Sequence, residues 1–285
     1  MLMVLSLATS WALPTAFPDP QQQQQQQQQL RQTQAARALP ADGKFFGLNV
    51  VQTEPWSGGW GDPAYTGNVS THLLPGALRY PGGMVGNYWD WKKGWFRSDV
   101  KWNASAVPWY RDIPERPYRF QDFALGLRAT GATAVLSLNM LTSNLSYELA
   151  GLHAAAAAGI EVKYVELGNE FYLSQPDIIE RFPSVAHYAR EAETWARAVR
   201  AAFPAATVAA VGAYSQHAGG DARHTSWNAG LYASLPHDSA TNALILHIYQ
   251  GSGFGACAPV PGGRRPPGAE GSWGSPGDQL RDYQS

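Results

Sequence analysis

The chain has 285 residues, more than the roughly 100 to 200 of a common domain but within the reach of an α/β barrel folded as one unit. Charged residues are 15% of it, and 21 Lys and Arg against 22 Asp and Glu leave a net charge of −1, which excludes a nucleic-acid binder built on a basic field. The 45% of hydrophobic residues can fill a core, and the single cysteine, Cys257, excludes an intrachain disulfide.

Residues 1–16 are apolar, with small residues at Ser10, Ala12 and Ala16. They match the length of a signal-peptide core and fall short of the roughly 20 residues that span a bilayer. The expectation is a signal peptide over 1–16 and a secreted glycoprotein, with Asn68-Val69-Ser70, Asn103-Ala104-Ser105 and Asn144-Leu145-Ser146 as glycan acceptor triplets. Residues 17–43 contain the unbroken run Gln21 to Gln29 and no apolar periodicity, so they read as a linker that contributes nothing to a core. Residues 44–285 are then assigned to one α/β domain.

Within that domain short apolar runs alternate with helical stretches, as a parallel sheet with crossover helices requires. Six strands are expected, at Phe45 to Gln52, Ala77 to Pro81, Ala132 to Leu141, Val162 to Glu170, Thr207 to Tyr214 and Ala243 to Gln250. Helices are expected at Ser146 to Ala158, Val185 to Ala202 and Ser226 to Leu235. Irregular chain is expected over Thr53 to Leu73 and Gly82 to Pro117. These two loops hold seven of the 11 Trp residues, which points to function, because long loops in compact domains are functional or disordered. The later strands are apolar until their carboxyl ends, where Asn139, Asn169, Glu170, His247 and Tyr249 appear. In an α/β barrel that end carries the site.

Three motifs make the reading specific: Leu167-Gly168-Asn169-Glu170, Leu78-Arg79-Tyr80-Pro81-Gly82-Gly83 with Asn87-Tyr88-Trp89, and His247-Ile248-Tyr249. Together they resemble a retaining glycoside hydrolase of clan A, in the branch of the α-L-arabinofuranosidases and heparanase-like β-glucuronidases. The resemblance covers about Phe45 to Gln250 and implies a (β/α)8 TIM barrel, here with about six of its eight strands. It implies a carbohydrate substrate and no cofactor; no metal is expected because no Cys/His cluster at zinc-ligand spacing exists, and no nucleic acid or membrane span is expected from the charge balance and the short apolar N-terminus. Retention needs two carboxyl groups about 5 to 5.5 Å apart, one to protonate the leaving oxygen and one to attack the anomeric carbon. By resemblance Glu170 is the general acid, Asn169 binds the sugar 2-OH, and Arg79 holds the nucleophile ionised. His247 and Tyr249 border that nucleophile, while Asn139, Asn87 and Trp89 contact sugar. Glu166 shares a strand face with Glu170 by the period of two and is read as an interior carboxylate paired with a buried cation, Arg79 being the candidate.

Two departures from the family pattern qualify these expectations. Met84 follows the paired glycines where arabinofuranosidases often have Asn, which weakens arabinose as the substrate. The family places its nucleophile at the end of a seventh strand, yet residues after Gln250 contain no apolar run long enough for one, and Glu270 sits in Pro/Gly-rich sequence. The expectation is therefore a fragment of a hydrolase that is inactive alone. The alternative is a non-catalytic, glycan-binding remnant of such a barrel.

Overall fold

The structure is a computed structural model that describes residues 47–49, 59–99, 115–214 and 221–247, together with the backbone of 2–6. Its main sheet contains β1 (Leu2–Ser6), β2 (Gly47–Asn49), β3 (Ala77–Tyr80), β6 (Thr133–Ser137), β7 (Tyr164–Glu166), β8 (Thr207–Gly212) and β9 (Ala243–His247). The spatial order is β1-β9-β8-β7-β6-β3-β2, and the six strands from β2 to β9 are mutually parallel. Each successive parallel strand joins the same growing edge, with no reversal of order. That is the winding of a (β/α) barrel rather than of a doubly wound open sheet, and it comprises six of the eight strands of a complete barrel. All six expected strands are present.

The expected helices form at Leu145–Ala157, Val185–Ala202 and Ala222–Ser234. The last starts four residues earlier than the pattern suggested, because the Asp221 side chain accepts the His224 N–H and caps the first turn. The long loops carry structure that periodicity did not show. A helix at Pro63–Asn68, capped by Asp62, runs into a π-helical turn at Val69–Leu73. A 3-10 turn at Met84–Tyr88 leads into a hairpin of β4 (Trp89–Asp90) and β5 (Trp95–Phe96). Two further helices, Phe120–Thr130 and Pro176–Arg181, precede β6 and follow β7. In chain order the helices are α1 (Pro63–Asn68), α2 (Phe120–Thr130), α3 (Leu145–Ala157), α4 (Pro176–Arg181), α5 (Val185–Ala202) and α6 (Ala222–Ser234).

Helix α5 shows how the core is built. Tyr188, Ala189, Ala192, Trp195, Ala196 and Val199 are its buried apolar residues, a three-and-four spacing that forms one stripe against the sheet. The Tyr188 hydroxyl donates to the Leu167 carbonyl at 2.9 Å and accepts the Val211 N–H at 2.8 Å. The helix thereby pins the ends of β7 and β8. In α6 the Trp227 indole N–H donates to the Val211 carbonyl at 2.8 Å, and Asn228 both donates to and accepts from the Ala213 backbone.

At the far edge β1 pairs antiparallel with β9, Leu2 opposite His247 and Ser6 opposite Ala243. A strand there satisfies backbone groups of β9 that an open edge would expose. The sequence reading assigned these residues to a signal peptide. Among the described residues no helix is long and apolar enough to cross a membrane, and no group of His, Cys, Asp and Glu could hold a metal ion.

Candidate active site

The polar strand ends converge. Arg79, on β3, is 4% exposed, and its guanidinium meets the Glu166 carboxylate of β7 at 2.7 Å. This is the interior ion pair expected for Glu166. Burying either charge alone would be costly, so each requires the other. The same guanidinium donates to Asn169 Oδ1 at 3.0 Å and to Asn49 Oδ1 at 3.5 Å, spreading its donors over three residues at the ends of β7 and β2 as its fork geometry permits. Asn169 Nδ2 in turn donates to the Met84 thioether at 3.4 Å, so the residue departing from the arabinofuranosidase pattern touches the asparagine of the site.

The pleat of β7 ends at Glu166, so the strand's period of two does not extend to Glu170. Gly168 has φ 94° and Glu170 has φ 53°, left-handed backbone that breaks the period of two and aims Glu170 independently of Glu166. A Cβ on Gly168 would stand 2.0 Å from the Phe171 ring, so glycine is required there both for its conformation and for its lack of a side chain. A non-glycine residue held left-handed, as Glu170 is, stores strain of the kind found at functional sites. Glu170 is 8% exposed, and its Oε1 lies 2.9 Å from His247 Nδ1 on β9. The buried acid therefore faces an imidazole that can donate to or accept from it.

Asn87, fully buried, donates through Nδ2 to the Asn169 carbonyl at 3.0 Å. Asn139 donates to the Trp89 carbonyl and to Thr142 Oγ1, both at 2.9 Å, while its Oδ1 accepts the Thr142 N–H at 2.9 Å. Its amide is thus engaged within the protein and shapes the loop after β6. Trp89 is 5% exposed, its indole N–H bonded to the Tyr80 hydroxyl and its ring packed among Tyr80, Trp95 and Phe96. The ring is thus part of the core. Tyr249 and Glu270 lie outside the described residues.

Two participants were not singled out from sequence. Arg223 of α6 donates to the carbonyls of Phe171 and Phe182, at 2.7 and 2.8 Å, stapling the turn that follows Glu170. A lone Arg in a helix first turn gives no sequence signal for this. Glu148, on α3, is 6% exposed, and its Oε2 accepts the Asn139 N–H at 3.2 Å. Burial pushes its pKa up to about 7. In sequence it is an ordinary acidic residue near a helix start.

No family model matches the sequence, and no curated protein does. Among solved structures the chain is similar to several arabinofuranosidases, including the following three. One, from Thermotoga maritima in an arabinose complex, is 20% identical over 54% of this chain and 34% of that one, TM-score 0.42. The thermostable GH51 enzyme of Thermotoga petrophila is 21% identical over 66% and 40%, TM-score 0.47. The family 51 enzyme of Bifidobacterium longum is 20% identical over 60% and 36%, TM-score 0.43. The chain thus spans between 34% and 40% of the length of these three chains.

Proposed function

We propose that this chain carries the general acid/base half of a retaining glycoside hydrolase acting on O-glycosidic bonds of oligo- or polysaccharides. The observation that carries the reading is the buried Glu170 carboxyl, held left-handed at the carboxyl end of β7 against His247, beside an Asn169 whose side chain Arg79 fixes. In that role Glu170 gives its proton to the leaving oxygen and then, as carboxylate, takes one from the water that releases the sugar. His247 stands where it can favour either form of the carboxyl group by a hydrogen bond. Asn169, locked through Oδ1, would orient the sugar. The second carboxyl group that retention requires is not assigned among the described residues, and Glu166 is committed to Arg79.

The test is made in a form of the protein that turns over glycosides. Glu170→Gln should slow glycosylation strongly for substrates with poor leaving groups, which need protonation, and far less for activated aryl glycosides. Added azide should then rescue release of the sugar, because it attacks without base assistance. Equal losses for both leaving-group classes in the first step would remove Glu170 from the role. Sugar binding by the 285-residue chain without turnover in any form would favour the binding-remnant reading.

A further inference from the structure

A continuous run of hydrogen bonds leads from a buried carboxyl group on α3 to the backbone of Asn169. Glu148 Oε2 accepts the Asn139 N–H at 3.2 Å, Asn139 Nδ2 donates to Thr142 Oγ1 at 2.9 Å, and Thr142 Oγ1 donates to the Asn87 carbonyl at 2.9 Å. Asn87 Nδ2 closes the run on the Asn169 carbonyl at 3.0 Å, one residue before Glu170. Five buried or half-buried residues from three parts of the chain are thereby tied together.

We propose that Glu148 is a positioning residue of this site, whose ionisation state sets how firmly the Asn139–Thr142 loop, and through Asn87 the Asn169 backbone, is held. An ionised carboxylate accepts an N–H in a charge-assisted bond roughly twice as strong as the neutral acid does, so gaining or losing one proton changes the first link of the run. The groups facing Glu148 are Asp90 and Arg97 of the β4–β5 hairpin, Tyr80 of β3 and Tyr147 beside it on α3. Burial raises its pKa first and foremost, the Ser143 hydroxyl, the Asn139 N–H and Arg97 lower it, and Asp90 raises it, leaving the group near 7. Glu148 also lines a cavity of about 20 Å³ with Tyr80, Trp89, Trp91 and Leu152, an apolar wall that offers the charge little solvation. The coupling would therefore operate across neutral pH. It bears on catalysis only if Glu170 is the acid, but the coupling itself needs no turnover to measure.

The test follows amide resonances of the full chain from mildly acidic to mildly alkaline pH. The signals of Asn139, Thr142, Asn87 and Asn169 should shift together with one midpoint near 7. Glu148→Gln, close in shape and unable to ionise, should abolish that shared shift. Thr142→Val should leave the transition at Asn139 while removing it from Asn87 and Asn169. Absence of a shared transition in the wild type overturns the proposal, and so does its survival in Glu148→Gln. A transition at Asn169 that persists in Thr142→Val overturns the relay. Failure of Glu170 as the acid would show in the leaving-group experiment and leave these shifts in place.

Discussion

At Gly168 a single hydrogen decides the geometry of the site. With φ 94° and only 2.0 Å between the place a Cβ would take and the Phe171 ring, Gly168→Ala combines left-handed strain with overpacking, together about 2 kcal/mol or more. Chemical unfolding of the variant checks this, and a near-neutral result would mean that the Phe171 turn gives way easily. Glu148 supplies a pH-dependent counterpart. Its pKa in the folded state, about 7, lies above the ordinary 4.5, so folding favours the protonated form. Its contribution is complete below the ordinary value and is lost as pH rises through about 7. The loss amounts to at most about 3 kcal/mol. Melting temperature against pH should decline across this window in the wild type and stay flatter in Glu148→Gln; parallel curves would count against the burial argument.

Among the elements, α3 joins stability to surface chemistry at one residue. Asn144 caps it, Oδ1 accepting the Tyr147 N–H at 3.0 Å and the Ser146 hydroxyl at 2.8 Å. Asn144→Ala should cost about 1 kcal/mol and Asn144→Asp very little, because the aspartate keeps the acceptor and adds a favourable charge at the helix start. Asn144 is exposed and heads an acceptor triplet. On the proposal that the chain is secreted, protein from a secreting eukaryotic host should carry a glycosidase-sensitive mass at Asn144 that Asn144→Asp lacks. An unmodified Asn144 in secreted protein would count against that acceptor. Helix α5 was legible from its apolar stripe, and β6 and β8 from their short apolar runs. The β4–β5 hairpin was not, since two-residue strands rich in Trp leave no period to detect.

At the scale of the whole molecule the sheet's edge matters, because β9 carries His247. Strand β1 covers that edge, and a mature chain beginning between Leu13 and Phe17, as a cleaved signal peptide predicts, would lack it. N-terminal sequencing of protein from the native cell separates the two situations. Deleting residues 1–6 should leave the helix signal in circular dichroism unchanged and increase concentration-dependent self-association in sedimentation, as an unpaired edge invites. Unchanged sedimentation would show that the β9 edge is protected without β1.

The sequence by itself determined the six parallel strands and the carboxyl-end position of the polar residues, because both follow from local periodicity and from where apolar runs stop. It also pointed to the Arg79–Glu166 pair, since a buried carboxylate inside a strand needs a cation and the topology offers one. Only the tertiary structure decided the rest. Period-two reasoning carried Glu170 onto the face of Glu166, whereas two left-handed residues after the strand direct it to His247. Trp89 and Asn139 read as sugar contacts because aromatic and amide side chains suit sugars, yet their partners are Tyr80, Trp95, Phe96 and Thr142. Glu148 and Arg223 went unremarked because burial and long-range partners set what they do, and neither leaves a local pattern. Hydrogen-bond satisfaction is settled by residues 58 to 90 positions apart in cases such as Trp60 with Tyr118 and Arg79 with Asn169, a separation that periodicity along the chain does not record.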